Sequence, residues 1–356
     1  MLAPIREYLA PKDPRSSPLL CATKDRYFSR LSVDLDPNAP TFGEARWIVS
    51  EDVNVEHLLD VLTSIDPDAT GDWEACCYFL EHLYRHKPRN TILGSKIEGL
   101  PDGHPSKPKC LFRLSKLLNF VGNYAERKRL LTHLLELSRQ SGDEFLVFEA
   151  LRSLSDVNRL LGLHEEGIKQ AKEALKVCER GGDAINQALC LLDLARLLFD
   201  DKQLDDAQDA ASRAVDLLPE KGQEYKRCQL YRILGKIYRS RGEREKAIHH
   251  FETSIGIGSR FNWHGELFRN HYNLAKLFCG EDELDRANAH IEQAKSYTSD
   301  NTLMMARAMS LQAEVWCSQG RPADAKSQAL HALEVFERLG AAIDVERCGD
   351  LLQRIE

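Results

Sequence analysis

Residues 191–220 read LLDLARLLFDDKQLDDAQDAASRAVDLLPE, and this stretch decides the fold. Ala195 lies near the end of one helical run, Lys202 falls at a turn, and Ala207 and Ala214 follow on a second run. A small residue at each of these places lets two helix backbones approach closely and fixes how the pair crosses. Leu194, just before the first small residue, fills the space between them.

The same spacing extends in both directions. Small residues recur at Ser115, Ser155, Ala195, Gly235, Ala275 and Ala313, in steps of 40, 40, 40, 40 and 38. Twelve residues after each stand Arg127, Gly167, Ala207, Ala247, Ala287 and Ala325, and seven further on Leu134, Ala174, Ala214, Ser254, Ala294 and Ala332. A turn position lies between the first two registers, at Gly122, Gly162, Lys202, Gly242, Asp282 and Gly320. Three registers keeping the same steps describe a helix-turn-helix unit repeated six times. The expected fold class is all-α, a right-handed superhelix (α-solenoid) of six hairpins. Arg127 and Leu134 depart from the small-residue pattern in the first.

The prolines set the other boundary. Eleven of the thirteen lie between Pro4 and Pro108, so the chain from 109 onward can be nearly continuous helix while the part before it cannot. The expected organisation is a segment over 1–33, an irregular helical linker or N-terminal cap over 34–108, and repeats over 109–147, 148–187, 188–227, 228–267, 268–305 and 306–340. A capping helix over 341–356 closes the array. Within the linker the spacing predicts helices from Glu51 to Ile65 and after Asp72, with 98–108 as a loop.

The pattern small, twelve, small, seven, small resembles the tetratricopeptide repeat, whose usual length of about 34 residues is some six shorter than this unit. The excess is expected after the third small position, in helix B or the loop beyond it. The resemblance implies that four positions of helix A in each repeat face a concave groove. Of the 24 such sites, eleven are basic: Lys109, Lys116, Arg152, Arg159, Arg196, Arg232, Lys236, Arg239, Arg269, Lys276 and Arg307. Three are acidic, Glu149, Asp156 and Glu314. The composition of 48 basic residues in 356 would place about three there. Exposed helix positions are charge-rich in any case, but that does not account for the asymmetry of sign. Arginine pairs with carboxylate or phosphate through two parallel hydrogen bonds, so the stripe suits an acidic partner segment. Leu189, Leu192, Phe199 and Tyr272 interrupt it as apolar anchors. A chaperone-tail carboxylate clamp needs Asn at matched sites, and only Asn119 occurs, at a different position.

A second resemblance covers the rest of the chain. MLAPIREYLAPKDPRSSPLLCATKDRYFSRL (1–31), EARWIVSEDVNVEHLLDVLTSID (44–66) and KIEGLPDGHPSKPKCLFRLSKLL (96–118) are similar to the region between nucleotide-binding core and repeats in fungal NLR-like STAND proteins of the NB-ARC/NACHT type. The resemblance implies the end of a winged-helix segment at Met1–Leu9, and an ATPase core as a partner in cis. The nucleotide-contacting Met-His-Asp triplet of relatives is not matched by Met1-Leu2-Ala3. It further implies a non-enzymatic, ligand-sensing or autoinhibitory repeat arm. A free-standing adaptor or co-chaperone, or an RNA- or phosphate-binding helical repeat protein, are the alternatives.

Other function classes have little support. There is no G-x-x-x-x-G-K-[ST] phosphate loop; Gly162–Lys169 lacks its ending. No catalytic frame, cofactor motif or convincing metal-ligand set is present. His82 and His86 share a helix face without a third ligand, and Cys76-Cys77 reads as buried thiols. A net charge of −7 argues against general nucleic-acid or membrane binding. Stacking aromatics among the groove cations are too few for a single-strand reader. No apolar run approaches the ~20 residues of a membrane helix. Ten cysteines without CxxC, and no Asn-x-Ser/Thr acceptor, point to a reducing, cytoplasmic compartment.

Overall fold

The computed structural model describes residues 92–281, 283–299 and 302–355. The segment 1–33, the helices expected at 51–65 and after Asp72, His82, His86 and Cys76-Cys77 lie outside the described residues. All regular structure among the described residues is helical: α1 (Ile92–Gly99), α2 (Lys107–Val121), α3 (Tyr124–Ser141), α4 (Glu144–Leu160), α5 (His164–Gly181), α6 (Ala184–Asp200), α7 (Leu204–Leu217), α8 (Glu224–Ser240), α9 (Arg244–Arg260), α10 (His264–Cys279), α11 (Leu284–Ser296), α12 (Leu303–Ser318), α13 (Pro322–Arg338) and α14 (Ala342–Ile355).

Most of the helices end for a local reason. Gly122, Gly162, Lys202, Gly242 and Gly320 are left-handed between the two helices of a hairpin, and Gly142, Gly182, Gly222, Asn262 and Gly340 between hairpins. Beyond several of these residues the chain folds back on the last helical turn. Leu163 N–H donates to the Asn158 carbonyl at 2.8 Å, and Gln203, Glu243 and Arg321 do the same to Leu198, Tyr238 and Trp316 at 2.9 Å. Side chains start the next helices: Asp143, Asp183 and Thr302 accept the backbone N–H of Leu146, Asn186 and Met305 at 2.9–3.1 Å.

All three registers are buried. Ser155, Ala195, Ala275 and Ala313 have no exposure, nor do Ala207, Ala247, Ala287 and Ala325 on the facing helices. In the fourth hairpin Gly235 meets the fully buried ring of Phe251, the smallest residue opposite the largest. Arg127 also occupies its small-residue slot, buried, with its guanidinium reaching Asn119 Oδ1 at 2.9 Å and Asp156 at 3.1 Å. It therefore substitutes hydrogen bonds for close packing in the first hairpin.

Two details differ from the sequence reading. The first small residue is the twelfth residue of α4, α6, α8 and α10, so the extra length of each unit lies partly in helix A, about one turn longer at its N-terminus. The divisions expected at 147/148, 187/188, 227/228 and 267/268 accordingly fall inside those helices, and the turns precede them. The loop expected at 98–108 is shorter, held by buried Lys107, whose ammonium donates to the Glu98 carbonyl at 3.2 Å and pairs with Asp102 at 2.8 Å.

The chain divides into two compact units at Val177/Cys178. In the first, Leu111, Leu117, Leu130, Leu131, Leu134 and Leu151 form the centre of the packing between α2, α3 and α4. In the second, Phe251, Phe268, Phe278 and Ile291 join α9, α10 and α11, and a separate cluster around Phe336 and Leu351 seats α14 on α13. No described helix is long and apolar enough to cross a membrane.

Candidate protein-binding site

In the first unit the helix A arginines of α4 are matched by carboxylates. Arg152 lies 3.6 Å from Glu149 and Arg159 lies 3.3 Å from Asp156, each one turn apart on α4. Burial works against charge on Asp156, yet Arg127 and Arg159 together hold its carboxyl below the usual range. Lys116 sits over the Phe112 ring at 4.4 Å, and Lys109 is exposed.

In the second unit the arginines act as struts between successive A helices. Arg196 on α6 bonds Asp193 at 3.1 Å and reaches Gln229 on α8 at 3.0 Å. Arg232 on α8 pairs at 2.8 Å with Glu266 on α10, whose side chain is only 2% exposed, and Arg269 pairs with the other oxygen of the same carboxylate at 3.1 Å. Burial alone would raise the Glu266 pKa, but the two arginines bring it below the usual value. Arg307 on α12 grips Asp344 on α14 through Nη2 at 2.7 Å and Nε at 3.1 Å.

Two helix A cations in this unit, Arg239 and Lys276, meet neutral groups, and Lys236 has a ring among its contacts. Lys236 lies 4.1 Å from the centre of the Phe199 ring. Arg239 donates to Asn273 Oδ1 at 3.0 Å. Lys276 stands 5.0 Å from the Tyr272 ring centre. Burial lowers the pKa of both Arg239 and Lys276, and Arg239 lowers that of Lys276 further by repulsion. Burial pushes the Tyr272 hydroxyl up to about 12, so it stays a donor at neutral pH.

These contacts revise the charge count. Asp193, Glu266 and Asp344 lie just off the four expected registers and neutralise part of the stripe. The signal for two of them was local: a carboxylate three residues before an arginine shares its helix face. Arg232 and Arg307 are therefore also structural, and Leu192, expected as an apolar anchor, is buried at 2% exposure. Among the described residues no group of three or more His, Cys, Asp or Glu side chains is arranged to hold a metal ion.

Residues 146–220 match the tetratricopeptide repeat family. The chain contains a tetratricopeptide repeat region. Solved structures extend the likeness of fold to the rest of the array. The Cut9–Hcn1 hetero-tetramer of the APC/C aligns over 96% of this chain with a TM-score of 0.56 and 16% identity, and this chain spans 56% of that one. A Rap protein in complex with Competence and Sporulation Factor aligns over 88% of this chain and 97% of its own, at 0.57 and 16%. A tetratricopeptide repeat protein from Parabacteroides merdae aligns over 84% and 98%, at 0.54 and 14%. No curated protein sequence matches the chain. The tetratricopeptide repeat fold is that of a helical array suited to protein–protein interaction.

Proposed function

We propose that the helix A face of the second unit is a groove that binds an acidic segment of another protein. One observation carries this reading: on the helix A faces of α8 and α10, Arg232 and Arg269 share the single carboxylate of Glu266, while Arg239 rests against an amide and Lys276 against an aromatic ring. The Rap protein of like fold, solved with its factor bound, supports a binding role. The resemblance of the N-terminal phrases to fungal NLR-like proteins suggests that the array is a sensing or autoinhibitory arm, whose acidic partner lies on an NB-ARC/NACHT core. A free-standing adaptor has equal support, since the Rap chain is matched over nearly its whole length. Neither role involves catalysis or a cofactor, and the cytoplasm is the compartment proposed.

The test uses a fluorescent peptide rich in Asp and Glu, a Lys-rich counterpart, and the double variant Lys236→Glu/Arg269→Gln. Arg232 is left alone because its removal would strand the buried Glu266 carboxylate. The acidic peptide is expected to bind, and the variant to lose at least tenfold in affinity with unchanged helicity. Equal binding of the Lys-rich peptide, or full retention by the variant, overturns the proposal.

A further inference from the structure

Within the second unit the cations differ in what neutralises them, and the difference is localised. Arg232 and Arg307 each grip a carboxylate on the next A helix. Arg239 holds only the neutral amide of Asn273, through its side-chain oxygen at 3.0 Å and its carbonyl at 3.4 Å. Among the described residues no carboxylate lies within 4.0 Å of Arg239 or Lys276. Asn273 directly follows Tyr272 and precedes Lys276 by three residues, so Arg239 is tied to the stretch of α10 that carries both. The Tyr272 hydroxyl makes no hydrogen bond among the described residues, and its ring supports the Lys276 ammonium at 5.0 Å.

The surroundings set the charge that this place needs. Lys276 feels Arg239, Arg347 and Arg307, together with Glu314, and Tyr272 feels Asp344 as well as Arg307 and Arg239. Four cations thus act on this place with two carboxylates, leaving about two positive charges, with Arg239 half-buried and Lys276 exposed. A single carboxylate would cancel one of them. A phosphate monoester carries about −1.5 to −2 at neutral pH and offers three acceptor oxygens, enough for a guanidinium, an ammonium and a phenol together.

We infer that Arg239, Lys276 and the Tyr272 hydroxyl form a phosphoryl-binding site for a phosphorylated side chain on an extended peptide. The inference rests on the protein-binding reading of this face and narrows its ligand. Lys276 supplies a compact positive charge and Arg239 a planar fork already oriented by Asn273, while the struts Arg232 and Arg307 hold α8, α10, α12 and α14 in place around them.

The experiment compares three peptides of one Gly/Ala-flanked sequence bearing phosphoserine, glutamate or serine at the centre, and inorganic phosphate alone, on the full chain. The phosphoserine peptide is expected to bind at least tenfold tighter than the glutamate peptide. Arg239→Gln or Lys276→Gln should abolish that preference, Lys276→Arg should keep it, and Lys236→Gln should weaken both peptides alike. Circular dichroism checks that each variant keeps its helicity, and Arg213→Gln on α7, exposed and away from the helix A face, serves as the control without effect. Equal binding of phosphoserine and glutamate peptides, or a preference that survives both Gln variants, overturns the inference. Inorganic phosphate binding as tightly as the phosphopeptide overturns the peptide part and leaves free phosphate as the ligand. If the Asp/Glu-rich peptide still binds and still depends on Lys236 and Arg269 while the phosphoserine preference is absent, only this inference falls. If that acidic peptide also fails to bind, the protein-binding reading falls with it.

Discussion

At the scale of single residues, the fourth hairpin shows how a register position is fixed by its neighbour. A Cβ added to Gly235 would lie 2.6 Å from Phe251 Cε1 and 2.7 Å from Cδ1, too close against a ring that has no exposed surface. Replacing Gly by Ala within a helix ordinarily gains about 0.5–1 kcal/mol. Here overpacking wins, and Gly235→Ala is expected to cost about 1–3 kcal/mol in urea unfolding. Phe251→Leu should cost less in the Gly235→Ala background than alone, because the two changes share one space. Additive costs in the double variant would mean that the ring is not the obstacle. The need for a small residue at 235 was legible in the sequence. That glycine serves there, where other hairpins have Ala or Ser, follows only from the ring of Phe251 sixteen residues on.

Among the elements, the turns and the paired histidines carry most of what can be tested. Lys202 sits at φ 67° where most of its counterparts are glycine. A left-handed conformation costs a residue with a Cβ roughly 1–2 kcal/mol, and the Lys202 side chain is exposed. Lys202→Gly is therefore expected to raise the free energy of unfolding by about 0.5–1 kcal/mol once the extra freedom of the unfolded chain is counted, read as a higher urea midpoint. Asn262→Gly should gain less, since Asn tolerates this conformation. A loss of stability in Lys202→Gly would show that the turn imposes no strain. Between α10 and α11, His271 Nδ1 and His290 Nδ1 stand 3.0 Å apart, and only one proton fits between them. Burial, and then His290, bring the His271 pKa down to about 4. The unfolded chain binds a proton near 6.5, so this stabilisation is complete above that pH and fades as pH falls from 6.5 toward 4, by about 3 kcal/mol in all. Burial depresses His250 and His290 too, adding to the same slope. His271→Gln should flatten the fall in urea midpoint between pH 6.5 and 4.5; an unchanged slope would count against the neutral pair.

The turn inside each hairpin was legible from the small-residue registers. The turns between hairpins were equally visible as Gly142, Gly182 and Gly222, but they lie outside the helices on which the pattern was sought. Asp193 and Glu266 were within reach of a search for carboxylates one turn before an arginine. The longer links were not: Arg196 to Gln229, Arg232 to Glu266 and Arg307 to Asp344 span 33, 34 and 37 residues. Those separations depend on how far one A helix is displaced along the next, which side-chain pattern alone does not specify.

For the whole molecule, sign and screening matter more than any single contact. The chain is acidic at −7, so on the proposed reading the helix A face would attract an acidic peptide against the background charge. Its affinity for the Asp/Glu-rich peptide should fall steeply between low salt and physiological ionic strength, where the screening length is about 8 Å. The urea midpoint should change little over the same range, because the strut on Glu266 is buried and exposed pairs contribute only about 0.2–1 kcal/mol each. Binding that ignores salt would remove electrostatics as its basis. The left-handed residues, meanwhile, fall twenty residues apart from Gly122 through Asn262, which makes the chain divisible. Excising 183–222 would splice Gly182 onto Gln223 in place of Gly222, leaving each remaining side chain in phase with its neighbours. Where one unit is two residues short, between Ala275 and Ala313, the shortfall is split between the stretch ahead of Leu303 and the first part of α12, and the cadence resumes. The length of the array can thus be edited in whole units, by loss or duplication, without rewriting the faces that its helices present.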